Sequence, residues 1–267
     1  IIFIASSTST HIKFIEESIK YKKIVFCEKP LDLNISKVKD CLKKLMKFNN
    51  KIQLGFNRRY DPGHYELKKS LLSKKIGKLE KIIITSRDPA PPPISYLKVS
   101  GGIFKDMMIH DFDLCRFYLE KDEISEIFAT ASSFTKFYSK IKDYELASVI
   151  MKSNKGVICV INNSRHSSYG YDQRVELFGS KGMLISGNIN KNEAEFYSSN
   201  STSAKKTYLN FFIERYEDAY KNQLDELFNL AKSNKKPRSV LYDGYKALQL
   251  AEFAIKSFKL KRLMKLR

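Results

Sequence analysis

The chain has 267 residues, of which 43% are hydrophobic, and a formal net charge of +19. This length allows two hydrophobic cores, and the hydrophobic share is ordinary for a globular protein, so a disordered or fibrous chain is excluded. No apolar run approaches the roughly 18 residues of a membrane span, the four cysteines have neither disulfide nor zinc-ligand spacing, and the lysines are dispersed without a nucleic-acid recognition motif. We therefore expect a cytoplasmic protein with no metal, membrane or nucleic-acid partner.

The amino-terminal segment alternates apolar strands with amphipathic helices. Strands are predicted at 1–5, 24–27 and 52–56, and helices near 10–21 and 35–46 lie between them. This βαβαβ order predicts the closing half of a doubly wound (Rossmann) parallel sheet.

The pattern changes after residue 60. A helix is predicted near 63–75, and two longer helices are predicted at 210–233 and 240–262. Short connections such as 153–156 are typical of hairpins, which indicates a mainly antiparallel sheet. Its strands are predicted near 80–87, 124–134, 145–152, 157–164, 171–178 and 183–187.

The predicted fold class is therefore α/β plus α+β, with the C-terminal half of a Rossmann parallel sheet followed by a mainly antiparallel sheet with helices. We expect a partial dinucleotide-binding domain at 1–58, a substrate and oligomerisation domain at 59–205, and helices at 206–267 that pack on both. Such a sheet leaves an apolar face for a second copy to cover, so we expect a homodimer or homotetramer.

The stretch 101–113 carries the most informative polar side chains. On a continuous helix, Asp106, His110 and Asp113 fall within roughly a 60° stripe of an otherwise apolar surface. Ionisable groups on a buried element are costly unless they are paired or do chemistry, and histidine is the most common general acid or base. The alternative is a hydrogen-bonded histidine at a partly wet helix edge.

A second informative segment is Glu28-Lys29-Pro30, which directly follows a predicted strand. Proline cannot continue the strand, so Lys29 is held at a strand end, where open α/β sheets bind ligands. A surface turn after a strand has the same appearance, but the downstream Asp106 and His110 make the combination more specific. The later run Pro89 to Pro93 predicts a stiff loop that is either a rigid connector or part of a substrate rim.

Together these motifs resemble the glucose–fructose oxidoreductase/inositol dehydrogenase family of nicotinamide-dependent sugar and polyol dehydrogenases. The family-level resemblance lies in Glu28-Lys29-Pro30, the Gly101-Gly102, Asp106, His110 and Asp113 row, and the segment 55–62. A closer resemblance, to the inositol 2-dehydrogenases of that family, lies in the segments 86–93, 98–102, 161–165 and 169–174.

The resemblance implies NAD-dependent oxidation of myo-inositol at a secondary hydroxyl, giving the 2-keto compound by hydride transfer. Two alternatives stay open, a dehydrogenase of another polyol or sugar and a non-catalytic sugar-binding relative. The presence of Lys29, Asp106 and His110 argues against the second alternative. NADP is not excluded, because the residue that reads the ribose 2′ position would precede Ile1.

The resemblance also implies individual roles. His110 would be the base, Asp106 would orient its imidazole and raise its basicity, and Lys29 would bind both the reacting hydroxyl and the cofactor, next to a cis bond to Pro30. Asp113 would either support this group or lie on the helix face. The implied cofactor-binding residues are Ser6, Thr8, His11, Glu28 and Lys29, and the implied substrate-binding residues are Asn57, Arg87, Asp88 and Tyr171.

The sequence contains no Gly-x-Gly-x-x-Gly turn and opens on Ile1 within an apolar run. We interpret this as an amino-terminal truncation, and relatives are expected to carry roughly 60–70 further residues, at about 30 per βαβ unit. Backbone amides at the first helix normally hold the pyrophosphate, so the chain alone is expected to bind a dinucleotide weakly.

Overall fold

Three short parallel strands and two helices form the amino-terminal part of the structure, a computed structural model that describes residues 1–141, 143–233 and 235–266. Helical crossovers allow consecutive strands to pair in parallel, and the sheet order is that of the chain. The predicted βαβαβ order is confirmed. Its elements are β1 (Ile2–Ile4), α1 (His11–Lys20), β2 (Val25–Cys27), α2 (Ile35–Leu45) and β3 (Ile52–Leu54).

Each of these helices packs through one apolar face. Ile15 and Ile19 of α1 are buried, as the helical spacing predicts. The side chain of Asn34 accepts hydrogen bonds from the backbone amides of Ser36 and Lys37, which fixes the start of α2.

A seven-stranded sheet forms the second part. Neighbouring strands are antiparallel with a single exception, the parallel pair of the fourth and seventh strands of the chain, so the predicted mainly antiparallel sheet is confirmed. In spatial order the strands are β12 (Met264–Lys265), β5 (Ile124–Ser132), β6 (Leu146–Ser153), β7 (Ile158–Ser164), β4 (Leu79–Arg87), β8 (Asp172–Gly179) and β9 (Gly182–Ser186).

Helices cover one face of this sheet. The described helices after residue 60 are α3 (Pro62–Leu72), α4 (Ile94–Leu97), α5 (Ile103–Asp106), α6 (Ile109–Leu119), α7 (Lys136–Ile141), α8 (Phe212–Arg215), α9 (Glu217–Leu230) and α10 (Leu241–Leu260). Of these, α6 and α10 pack on the sheet, whereas α9 packs against Phe26 of the first part. Alternate strand residues such as Ile127, Val149 and Ile161 are fully buried beneath α6 and α10. The helix α10 also contacts the first part, since a Cβ atom at Gly244 would lie 2.6 Å from the Leu54 side chain, so glycine is needed for this close approach.

Two of the differences from the sequence-based prediction lie between residues 195 and 230. The helix predicted at 210–233 is divided at Tyr216 into α8 and α9. A hairpin of β10 (Glu195–Ser198) and β11 (Ser201–Lys205) was not predicted, because its residues are almost all exposed and show no alternation of buried and exposed positions. Among the described residues, no helix combines the length and the hydropathy needed to cross a bilayer.

Candidate active site

A cleft of about 940 Å³ opens where β1, β2 and β3 end. Residues that follow these strands form part of its wall, and residues at the ends of β4 and β7 form another part. The carboxyl ends of parallel strands are the usual ligand-binding edge of an α/β sheet. Every predicted site residue except Arg87 lines the cleft, namely Ser6, Thr8, His11, Glu28, Lys29, Asn57, Asp88, Asp106, His110 and Tyr171.

Lys29 enters the cleft from the loop after β2, directly before a cis peptide bond to Pro30. Its ammonium donates to the backbone oxygen of Asp106 at 2.8 Å and lies 3.4 Å from the Asp106 Oδ1 atom. Burial opposes ionisation of Asp106, but the charges of Lys29 and Arg165 outweigh it and lower the pKa of that carboxyl below its ordinary value. An ammonium has three donors, so one remains for a ligand in the cleft.

The Asp106 carboxylate binds other groups than His110. Oδ1 accepts a hydrogen bond from the Tyr96 hydroxyl at 2.6 Å, and Oδ2 accepts one from Arg165 at 3.2 Å. The helix expected across this stretch is interrupted, since α5 ends at Asp106 and α6 begins at Ile109, so regular helical spacing does not relate the two side chains. The expectation that Asp106 orients the His110 imidazole is corrected accordingly.

His110 lies in the first turn of α6 with an imidazole that is held by packing. Its Nδ1 atom is buried and has no hydrogen-bond partner in the part of the chain that the structure describes. The Phe56 ring packs edge-on against it, with ring centroids 6.1 Å apart. Burial, together with the charges of Lys29 and Arg58, lowers the pKa of His110 well below its ordinary value. The imidazole is therefore neutral near pH 7 and able to accept a proton from a hydroxyl group.

The next two carboxylates of α6 are structural. Asp113 binds Arg59 through two hydrogen bonds of 2.7 and 2.6 Å, and Asp111 forms a buried ion pair with Arg58. Neither aspartate lines the cleft, so the stripe of Asp106, His110 and Asp113 does not act as one group. Arg58 does line the cleft, which places a paired cation near the imidazole.

Hydroxyl groups and a histidine form the wall after β1. Ser6 and Thr8 line the cleft, as expected for a cofactor-contacting segment. The ring nitrogens of His11 lie 2.8 Å from the backbone oxygen of Pro30 and 2.9 Å from that of Ser6. This side chain therefore ties the ends of β1 and β2 together, in addition to lining the cleft.

Glu28 lies beside this wall, against Gly55. A Cβ atom at Gly55 would lie 2.5 Å from the Glu28 Oε2 atom, so the glycine makes room for this carboxyl group. Burial raises the pKa of Glu28 above its ordinary value, although the Lys29 charge opposes the shift.

Of the predicted substrate contacts, Asp88 lines the cleft but its neighbour Arg87 does not. Successive side chains of a strand point to opposite sides, and Arg87 is the last residue of β4. Arg87 instead donates to the Tyr169 hydroxyl and to Asp172, outside the cleft lining that the other predicted substrate residues share. Burial raises the pKa of Asp88 to about 6.

An aromatic wall completes the cleft. The ring of Tyr171 lies with its centroid 5.9 Å from that of Phe211 and 6.1 Å from that of Tyr216. Apolar walls with a few placed polar groups are typical of small-molecule sites. Four further residues line the cleft and were not predicted as site residues from the sequence, namely Phe211, Tyr216, Tyr96 and Arg165.

Comparison with known proteins identifies the family. Residues 1–56 match the domain described as oxidoreductase family, NAD-binding Rossmann fold, and residues 64–185 match the GFO/IDH/MocA C-terminal domain. The myo-inositol 2-dehydrogenase of Thermotoga maritima is 41% identical over 266 residues, which are 99% of this chain and 79% of the relative. The chain belongs to the GFO/IDH/MocA oxidoreductase family.

Solved structures of GFO/IDH/MocA proteins have the same fold. A myo-inositol dehydrogenase from Corynebacterium glutamicum is 40% identical with a TM-score of 0.96, covering 100% of this chain and 80% of that one. A scyllo-inositol dehydrogenase from Lactobacillus casei with bound NAD(H) and scyllo-inositol is 26% identical with a TM-score of 0.90, covering 98% and 79%. The resemblance inferred from the motifs and the predicted fold class are both confirmed.

Proposed function

We propose that this GFO/IDH/MocA protein is an inositol 2-dehydrogenase that oxidises myo-inositol to the 2-keto compound with NAD. The observation that carries the proposal is the placement of a neutral imidazole, His110, in one cleft with an ammonium, Lys29, that is held by Asp106. A hydride leaves an alcohol carbon only as the hydroxyl proton is removed, and the developing oxyanion needs a positive charge beside it. Two relatives at 40% and 41% identity are myo-inositol dehydrogenases, which supports myo-inositol as the substrate.

Lys29, His110 and Asp106 then each have a separate task. Lys29 donates its remaining hydrogen bond to the reacting hydroxyl oxygen and stabilises negative charge there. His110 accepts the hydroxyl proton, and Asp106 holds Lys29 in place without entering the proton transfer. A bound nicotinamide ring supplies the hydride acceptor.

The binding residues follow from their places in the cleft. Ser6, Thr8, His11, Glu28 and Lys29 would hold the cofactor, because their hydroxyl, carboxyl and ammonium groups line the cleft beyond β1 and β2. The substrate would lie among polar and aromatic side chains that accept its hydroxyls and cover its C–H face, namely Asn57, Asp88, Tyr171 and Tyr216.

The proposal also covers organisation and location. The domains would run over 1–58, 59–205 and 206–267, in a cytoplasmic enzyme, and four buried free cysteines support a reducing compartment. The outer face of the seven-stranded sheet would join subunits of a homodimer or homotetramer. Phe128, Ile150, Val160 and Ile83 form one cross-strand row on that face, and Ile150 is 53% exposed.

The test is NADH formation by the product of the complete gene with myo-inositol, scyllo-inositol and glucose. We expect the highest kcat/KM with myo-inositol, and a preference for glucose would favour the alternative of a sugar dehydrogenase. Lys29→Ala should lower kcat and weaken binding of both ligands. The matched control is Lys68→Ala, since the Lys68 side chain is also buried (9% against 16% exposure for Lys29) and pairs with Glu120 outside the cleft.

A further inference from the structure

We propose that Tyr96 is a positioning residue, which keeps Lys29 directed into the cleft by occupying the Oδ1 atom of Asp106. This role rests on the proposed dehydrogenase function and concerns the same site.

Tyr96 is held rigidly at the rim of the cleft. It lies in α4, directly after the run Pro89 to Pro93, and its backbone amide donates to the Pro93 oxygen at 3.0 Å. The next residue, Leu97, is buried and anchors the turn. Prolines restrict the backbone, so this run forms a stiff support for the tyrosine.

The hydroxyl end of Tyr96 is inside the cleft although the residue is 45% exposed. Burial raises the pKa of Tyr96 above its ordinary value, so the phenol stays protonated and donates. Its 2.6 Å bond to the ionised Asp106 carboxylate is short, as expected for a charge-assisted hydrogen bond.

The same carboxylate oxygen also faces Lys29, at the longer distance of 3.4 Å. Arg165, which is buried, binds the other oxygen. Both oxygens of Asp106 therefore have a donor besides the ammonium, and the shortest contact of Lys29 is with the backbone oxygen of Asp106, at 2.8 Å. Without the phenol, the ammonium would move onto Oδ1 and away from the substrate oxygen.

The first experiment compares Tyr96→Phe with the wild-type product of the complete gene. We expect kcat with myo-inositol and NAD to fall by roughly 10-fold, the effect of losing one hydrogen bond to a charged group. KM for myo-inositol should stay nearly unchanged, because the interaction matters most when negative charge develops in the transition state. The control is Tyr169→Phe, since Tyr169 is 42% exposed and donates to Asp172 at 2.7 Å, outside the cleft.

The second experiment combines Tyr96→Phe with Asp106→Asn. A residue that acts only through Asp106 adds no further loss in the Asp106→Asn background, whereas independent effects multiply. Thermal unfolding of each variant establishes that it is folded. Multiplying losses, or an unchanged kcat in Tyr96→Phe, would overturn the positioning role while leaving the dehydrogenase intact. If the wild-type protein formed no NADH with any of the polyols tested, the proposed function and this role would both be removed.

Discussion

The ammonium of Lys29 donates to the backbone oxygen of Asp106 at 2.8 Å, across 77 residues of sequence. This contact joins the loop after β2 to the end of α5, so a cation from the parallel sheet reaches a cleft completed by the second sheet. The Asp106 carboxylate, which the sequence predicted as a partner of the histidine, instead lies 3.4 Å from the same ammonium. Among the described residues no hydrogen bond joins the base to the cation of the proposed reaction, although the Lys29 charge helps to lower the pKa of His110.

The first prediction concerns His110. His110→Ala should lower turnover by roughly 10²–10⁴, the usual contribution of a positioned acid or base. Because the pKa of His110 is lowered well below 6.5, the imidazole stays neutral and kcat should not fall as the pH drops from 8 to that value. Asp106→Asn should lower kcat without changing the pH at which protonation of His110 reduces kcat, since Asp106 does not bind the imidazole. If this pH changed in Asp106→Asn, the result would contradict the structure.

The second prediction concerns Asp88, whose pKa is raised by burial to about 6. Above that pH the carboxylate accepts hydrogen bonds from substrate hydroxyls, so kcat/KM should decrease as the pH falls through about 6. Asp88→Asn should show a lower kcat/KM that does not vary over this range. A wild-type profile without this dependence would remove Asp88 from the substrate contacts.

The same shift predicts a change in stability. Because the pKa of Asp88 in the folded state lies above the ordinary 3.8, ionisation of this carboxyl group destabilises the fold. The destabilisation is complete above pH 6 and absent below pH 3.8. Asp88→Asn should therefore increase the free energy of unfolding near neutral pH by roughly 2–3 kcal/mol, and the gain should disappear towards pH 4. The control is Asp218→Asn on α9, whose carboxylate is 72% exposed. Denaturant unfolding at the two pH values measures both.

The third prediction concerns the outer face of the large sheet. Ile150→Asp places a charge in the centre of its apolar row and should reduce the molecular mass in solution, measured by light scattering, to that of a smaller assembly. Leu72→Asp at the end of α3 is the control, because Leu72 has a similar exposure, 56% against 53%, away from the sheet. An unchanged mass for Ile150→Asp would show that subunits do not meet on this face.

Much of the fold could be predicted from the sequence, because periodicity records burial. Ile15 and Ile19 recur at helical spacing and are buried in α1, and six of the seven strands of the large sheet begin and end close to where they were predicted, whereas β12 was not predicted. The interruption at Met107 and Met108 could not be predicted, since no proline or glycine marks it and an apolar run fits a continuous helix equally well.

The site was predictable where a motif follows a strand. Lys29 and Asp88 come directly after strands whose ends meet at the cleft. Tyr96 and Arg165 lie 10 and 59 residues from Asp106 in sequence, and their convergence on its carboxylate depends on how loops pack, which local pattern does not record.

The most direct test of the proposed reaction uses myo-inositol deuterated at carbon 2, incubated with NAD and the product of the complete gene. We predict that each turnover gives one molecule of the 2-keto compound and one deuterium in the reduced cofactor, both measured by mass spectrometry, and that His110→Ala slows their formation together. Reduced cofactor without deuterium, or a product oxidised at another carbon, would contradict hydride transfer from the proposed position.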